Sequence, residues 1–226
     1  MRGMLAYYDA CPYCGKRLKH VDVDFFGKTY NVGCWASCGC AEAVADDEGA
    51  TDQTRPYSMA GVPARYLGAS CDMGGNDLAV MNGRSLYITG PYGSGKTYYA
   101  SSVAKSLVDN GVSVLFVNSS ALVADIHATY SGQGTGLLDR AMGCQVLVLD
   151  DLGKEQPTAH TLALFYELVD ARYVDMKPMV CTSNFSRGDL LRRWADADLA
   201  TAESIVSRLC ENSNVVTLKG RDRRLS

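Results

Sequence analysis

The sequence predicts an α/β fold built on a five-stranded parallel sheet, with a small module in front of it. Three observations carry that prediction. From about residue 56 onward, short apolar runs alternate with helix-periodic stretches, the pattern of crossover units that bury a parallel sheet between helical layers. One apolar run leads straight into a glycine-rich loop, Gly90-Pro91-Tyr92-Gly93-Ser94-Gly95-Lys96-Thr97. Five of the nine cysteines crowd into the first 40 residues, away from the alternating region.

Bulk composition narrows the classes. A chain of 226 residues accommodates one full domain plus an appendage. With 47% apolar and 21% charged residues it lies in the globular range, which excludes wholesale disorder. Lys and Arg total 22 against 25 Asp and Glu, a net charge of −3. Histone-like basic binding of nucleic acid is thereby excluded, while a local basic patch is not. No apolar stretch approaches the roughly 20 residues needed to cross a bilayer. The first nine residues, from Met1 to Asp9, lack the apolar core of a signal peptide. A cytoplasmic protein without membrane contact is expected.

Residues 1–45 are too few to bury a core of their own. Their cysteines are Cys11, Cys14, Cys34, Cys38 and Cys40, and the odd total of nine argues against a complete disulfide framework. In a reducing compartment such clusters hold metal more often. Cys11-Pro12-Tyr13-Cys14-Gly15 places two thiolates on a tight turn, and the second pair comes from among Cys34, Cys38 and Cys40. Four thiolates around zinc would supply the missing folding energy. A β-like stretch over 21–32, interrupted at Gly27, lies between the two groups. Asp46-Asp47-Glu48-Gly49 and the polar residues up to Pro56 mark 46–55 as a linker.

The remaining region, 56–226, supplies strands over 86–89, 112–117, 146–149, 179–182 and 215–218. Helices are expected over 96–109, 120–130, 158–175 and 202–211. Cys144 and Cys181 border strands and read as small buried hydrophobes. The glycine-rich loop satisfies the phosphate-loop spacing, follows a strand and opens a helix. Its glycines let successive N–H groups face phosphates at a positive helix end. Lys96 would reach the β- and γ-phosphates of ATP, and the Thr97 hydroxyl would ligate magnesium. Val146-Leu147-Val148-Leu149-Asp150-Asp151 then delivers two carboxylates at the C-terminal end of a buried strand, where ligands of a parallel sheet collect. Asp150 would hold magnesium, and Asp151 would orient and deprotonate the attacking water. Asn184 follows the next strand and could position that water, although Ser-Asn is also a common turn pair.

The order of these motifs resembles that of DnaC/IstB-type AAA+ ATPases, the bacterial and phage helicase loaders and their transposition relatives. Besides the phosphate loop, the likeness is carried by Ala60-Gly61-Val62-Pro63-Ala64-Arg65-Tyr66 and Leu149-Asp150-Asp151-Leu152-Gly153-Lys154-Glu155. It continues through Thr182-Ser183-Asn184-Phe185 and Ile205-Val206-Ser207-Arg208-Leu209. The resemblance implies that Asn184 senses the γ-phosphate and that Arg208 is an arginine finger reaching a neighbouring subunit's ATP. On position alone, Arg208 could also be a surface helix charge. For the cysteines the resemblance favours Cys38 and Cys40 as the second zinc pair. Two departures stand out. AAA+ proteins generally carry Glu where Asp151 stands, so slow or partner-dependent hydrolysis is expected. Only 18 residues follow Arg208, too few for a helical lid, so a lidless core is expected.

Through the resemblance, the expected function is loading of a replicative helicase onto single-stranded DNA by an ATP-dependent homo-oligomer, with the zinc module gripping the helicase. In this family the region after the second strand lines a pore around DNA. Here it offers His127 and Tyr130, with no Lys or Arg before Arg140. The tail from Lys219 to Arg224 is basic and could touch phosphates or simply be solvated. Alternatives are a transposition ATPase working with a transposase, or an ATP-switched adaptor with negligible turnover. A nucleotide kinase is disfavoured by the lack of an Arg-rich lid, and an origin initiator by the lack of a helix-turn-helix domain.

Overall fold

The computed structural model describes residues 20–25, 28–33, 54–130 and 134–219. Two compact units divide between Met59 and Ala60. In the first, β1 (His20–Phe25) and β2 (Lys28–Gly33) form an antiparallel pair with His20 opposite Gly33 and Phe25 opposite Lys28. These are the two halves of the β-like stretch expected around Gly27. A short helix, α1 (Arg55–Met59), ends this unit. Cys11, Cys14, Cys34, Cys38 and Cys40, with the zinc assigned to them, lie outside the described residues, as does most of the 46–55 linker.

The second unit holds a five-stranded parallel sheet: β3 (Ser85–Thr89), β4 (Val114–Asn118), β5 (Val146–Leu152), β6 (Met179–Ser183) and β7 (Ser213–Thr217). Their order across the sheet is β4-β5-β6-β3-β7, every neighbouring pair parallel. All five expected strands are present, with ends displaced by up to three residues. β5 continues through Asp150 and Asp151 to Leu152. Mostly apolar runs form β3 to β6 because both faces are covered, so neither face selects polar residues, whereas β7 at the sheet edge is partly exposed.

Helix α2 (Asn76–Met81) precedes β3, and α3 (Lys96–Asp109) follows it. Buried Ala100, Val103, Ala104 and Leu107 give α3 an apolar stripe at helical spacing. Next come α4 (Ser119–Tyr130), α5 (Leu137–Gly143), α6 (Ala159–Val174) and α7 (Arg187–Glu211). Leu147, Leu149 and Cys181 share a core with Leu162, Phe165 and Leu168 of α6 and with Trp194 and Ile205 of α7. Thr158 and Ser186 accept main-chain N–H groups three residues on and so cap α6 and α7. Within α7, Asp198 leaves helical geometry (φ −165°, ψ 101°). Its carboxylate accepts the Thr201 N–H at 3.1 Å, so it restarts the helix as a new cap. Cys144 and Cys181 are buried as expected, and burial pushes the Cys181 thiol up to about 12. Among the described residues no helix is long and apolar enough to cross a membrane.

Candidate functional site

At the C-terminal edge of β3 the chain turns into the phosphate loop. Gly90 permits that turn: a Cβ there would lie 2.4 Å from the Leu218 carbonyl oxygen. The same carbonyl's residue is stitched to the strand end, since the Leu218 N–H donates to Thr89 O at 2.7 Å. Gly95, with φ +95°, then opens α3. Lys96 is the first residue of that helix and is buried. Its Nζ donates to the carbonyls of Gly90 (2.9 Å) and Pro91 (2.8 Å), folding the ammonium beneath the loop.

Two strands away, β5 brings its carboxylates to the same end of the sheet. The Thr97 hydroxyl donates to Asp150 Oδ1 at 3.1 Å, and the Thr182 hydroxyl donates to the same oxygen at 2.6 Å. Asp150 is thus fixed between α3 and β6. Burial holds its carboxyl above the ordinary Asp range, with the Thr182 hydrogen bond pulling the other way. Two hard oxygen donors side by side, a carboxylate and a hydroxyl, match what magnesium requires.

Asp151 points elsewhere because the β5–β6 register shifts between Leu149 and Leu152. Its backbone is left-handed, φ +62°, a conformation that disfavours L-residues by roughly 1–2 kcal/mol and that Asp tolerates better than most. The Thr182 hydroxyl accepts the Asp151 N–H at 2.9 Å. Beyond it, buried Glu155 accepts the Gly153 N–H and lies 2.9 Å from the Ser119 hydroxyl. Arg193 adds a bond from Nε to Gly153 O at 2.6 Å. These contacts fix the turn that presents Asp151 to the cleft.

That cleft, about 150 Å³, is lined by Lys96, Thr97, Asp151 and Asn184 together with Arg65, Tyr66, Tyr92, Tyr98 and Lys154. The Asn184 side-chain nitrogen is buried with no hydrogen-bond partner, as expected of an amide kept for a ligand. The structure therefore brings together Gly90, Pro91, Tyr92, Gly93, Ser94, Gly95, Lys96 and Thr97 with Asp150, Asp151 and Asn184. It does not bring Arg208 to them. Arg208 lines a different cavity, of about 400 Å³, beside the starts of β3 and β6. There its Nε lies 2.8 Å from Asp170 Oδ1, and its guanidinium sits over the Tyr166 and Tyr173 rings at 5.1 and 5.6 Å.

Sequence reasoning gave no role to Thr182, Lys154, Arg65, Tyr66 or Tyr98. Thr182 carried the clearest available signal, a hydroxyl on the strand next to two carboxylates. Arg65 and Tyr66 stood in the stretch that resembles the loaders but far from the loop in sequence. In the structure Tyr98 accepts the Ser70 N–H (3.1 Å) and donates to Ser70 O (3.0 Å), and its ring meets Tyr66 edge-on at 6.4 Å, which ties that stretch and the residues just after it to α3. His127 and His160 stack at 5.4 Å on the surface. The basic tail beyond Lys219 lies outside the described residues.

Comparison with known proteins is consistent with this geometry. Residues 76–226 match the family model described as IstB-like ATP binding protein. An ATP-binding protein of insertion sequence IS21 from Pseudomonas aeruginosa is 31% identical over 147 residues, 65% of this chain and 54% of that protein. The replicative helicase loader DnaC of Buchnera aphidicola is 28% identical over 95 residues, covering 40% of this chain and 39% of its own. A crystal structure of the DnaC helicase loader superposes with a TM-score of 0.55 at 26% identity, covering 69% of this chain and 99% of that one. The chain thus spans about half the length, or less, of these two sequence relatives.

Proposed function

Because the chain belongs to the IstB-like ATP-binding protein family, we propose that it hydrolyses ATP in this cleft and couples the cycle to placing a replicative helicase on single-stranded DNA. One observation supports hydrolysis above all: Asp150 tied to Thr97 and Thr182, with Asp151 turned separately into the cleft. Asp150 and Thr97 would hold magnesium, which when bound offsets charge on the β- and γ-phosphate oxygens.

The chain's own groups do the rest. Lys96 exchanges the Gly90 and Pro91 carbonyls for phosphate oxygens. Asn184 orients the attacking water, and Asp151 takes its proton as the water oxygen bonds to the γ-phosphorus. The bond to the bridging oxygen breaks, and ADP leaves with that electron pair. Asp151 is one methylene shorter than the usual Glu, which favours slow or partner-stimulated turnover. Arg208, outside its own subunit's cleft, acts on the ATP of a neighbouring copy in an ATP-dependent homo-oligomer. Four of Cys11, Cys14, Cys34, Cys38 and Cys40 bind zinc in the module that grips the helicase, and the protein works in the cytoplasm.

The IS21 relative favours a second reading in which the partner is a transposase. Co-purification of the full chain with a replicative helicase, and not with a transposase, supports the first reading; the reverse result selects the second. For the chemistry, Asp151→Asn is expected to bind ATP as the parent does while turnover drops about 100-fold. Parental turnover in that variant removes Asp151 as the base.

A further inference from the structure

Two ammonium groups, not one, approach the beginning of the phosphate loop. Lys96 Nζ is bonded to the carbonyls of Gly90 and Pro91. Lys154 Nζ lies 5.8 Å from the centre of the ring of Tyr92, the next residue of the loop. The same Lys154 Nζ is 2.6 Å from Asp151 Oδ2, and its side chain is 40% exposed. All four of Lys96, Tyr92, Asp151 and Lys154 line one cleft.

These two cations differ in what holds them. Lys96 is buried in the first turn of a helix. Lys154 is on the turn after β5, on a long side chain held by a partly exposed ion pair, an interaction that water weakens. The main chain that carries its partner is pinned, and the partner's side chain is the shorter of the two. Asp151 is fixed by the Thr182 hydroxyl at its N–H, and the turn beyond is pinned by Glu155 and Arg193. If the pair opens, Lys154 is the group that swings.

We infer that Lys154 reads the γ-phosphate: when a nucleoside triphosphate occupies the cleft, its ammonium leaves the Asp151 carboxylate for the γ-phosphate oxygens. The terminal phosphate carries more charge than one carboxylate and more oxygens to accept N–H bonds, so the exchange is favourable in a semi-enclosed cleft. A nucleoside diphosphate lacks that group, and Lys154 stays on Asp151. The exchange also frees the carboxylate that takes the water proton, so the base is uncovered only when the bond to be broken is present. This inference rests on the reading that the cleft binds ATP.

Its test is a comparison of affinities. The full chain, Lys154→Gln and Lys154→Arg are titrated, with magnesium, against ADP and a non-hydrolysable ATP analogue. Lys154→Gln is expected to weaken the triphosphate about 10-fold while ADP stays within about two-fold, and Lys154→Arg to recover most of the loss. ADP serves as the internal check on folding, which an exposed side chain should not disturb. Equal losses for both nucleotides, or an unchanged triphosphate affinity, overturn the inference. Parent protein that binds neither nucleotide overturns the cleft reading itself, a result distinct from any outcome of the variants.

Discussion

Lys96 and Arg172 are both buried cations held by main-chain carbonyls, at opposite ends of the same sheet. Lys96 takes two carbonyls from the loop it sits under, and the cleft reaches its side chain. Arg172, 1% exposed, donates to the carbonyls of Ala141, Cys144, Gln145 and Pro178. Those four oxygens come from the end of α5, the approach to β5 and the approach to β6. Arg172 therefore ties three separate segments together, and two of its acceptors are buried carbonyls at the C-terminal end of α5, where a cation is favoured. The two carbonyls that Lys96 takes both belong to the loop that leads into its own helix. A cation that joins distant segments is structural, whereas one that closes its own loop can trade its partners for a ligand.

The contrast is sharpest on deleting each charge. Arg172→Leu takes a charged donor from four inward carbonyls, of which Ala141 O and Pro178 O keep only a long bond to the Cys144 thiol and the Leu147 N–H, so a loss of about 3–5 kcal/mol is expected, read from the urea midpoint. If stability hardly changes, Arg172 is not the tie described. Lys96→Ala is expected to leave the thermal midpoint close to the parent's while ATP affinity falls at least about 100-fold by calorimetry. An intact affinity would make the loop carbonyls its real partners.

Thr182→Val probes the polar strand between these extremes. Burial raises the Asp150 carboxyl and the Thr182 hydroxyl opposes that rise. Acidification therefore neutralises Asp150 at higher pH than an ordinary Asp, and loss of the hydroxyl raises it further. The acid limb of ATP hydrolysis is expected to move to higher pH in Thr182→Val, measured from the pH–rate profile. The linked stability has the opposite slope to a salt-bridged Asp: it falls as pH rises from the ordinary Asp range through the raised value, because burial disfavours the ionised form. A limb that stays or moves to lower pH contradicts Asp150 as the titrating group. The smallest effect belongs to Tyr98→Phe, which removes two exposed bonds to Ser70. It should lower stability by less than about 1 kcal/mol in the same urea measurement, since the ring can still meet Tyr66 edge-on. A larger loss would show that the segment before α2 depends on that hydroxyl.

Legibility in the sequence followed the range of the forces involved. Apolar runs such as Leu86-Tyr87-Ile88 and Val146-Leu147-Val148-Leu149 announced the strands, because burial on both faces leaves a local signature. The loop and the paired carboxylates were readable because their chemistry needs fixed spacing along the chain. Helices α2 and α5 were missed: each is short and begins after a glycine in left-handed geometry, so little periodicity accumulates. The first half of α7 was missed because its arginines and aspartates obscure a stripe carried chiefly by Leu190 and Trp194. Arg172, Lys154 and Tyr66 were silent because their partners lie far away in sequence or depend on how a turn is aimed.

The order β4-β5-β6-β3-β7 has a consequence for synthesis on the ribosome. β3, which carries the phosphate loop, is made first of the five strands, yet its two neighbours are β6 and β7. Until residues 179–183 have emerged, β3 has no hydrogen-bonded neighbour on either side, although β4 and β5 can already pair with each other. The nascent chain must carry an unpaired apolar strand from residue 89 until residue 183 has emerged, the situation in which edge-to-edge misassembly and chaperone capture arise. Closure of the other edge of β3 by β7 waits for residues 213–217, so the strand that leads into the nucleotide loop is the first of the five written and the last to gain both neighbours.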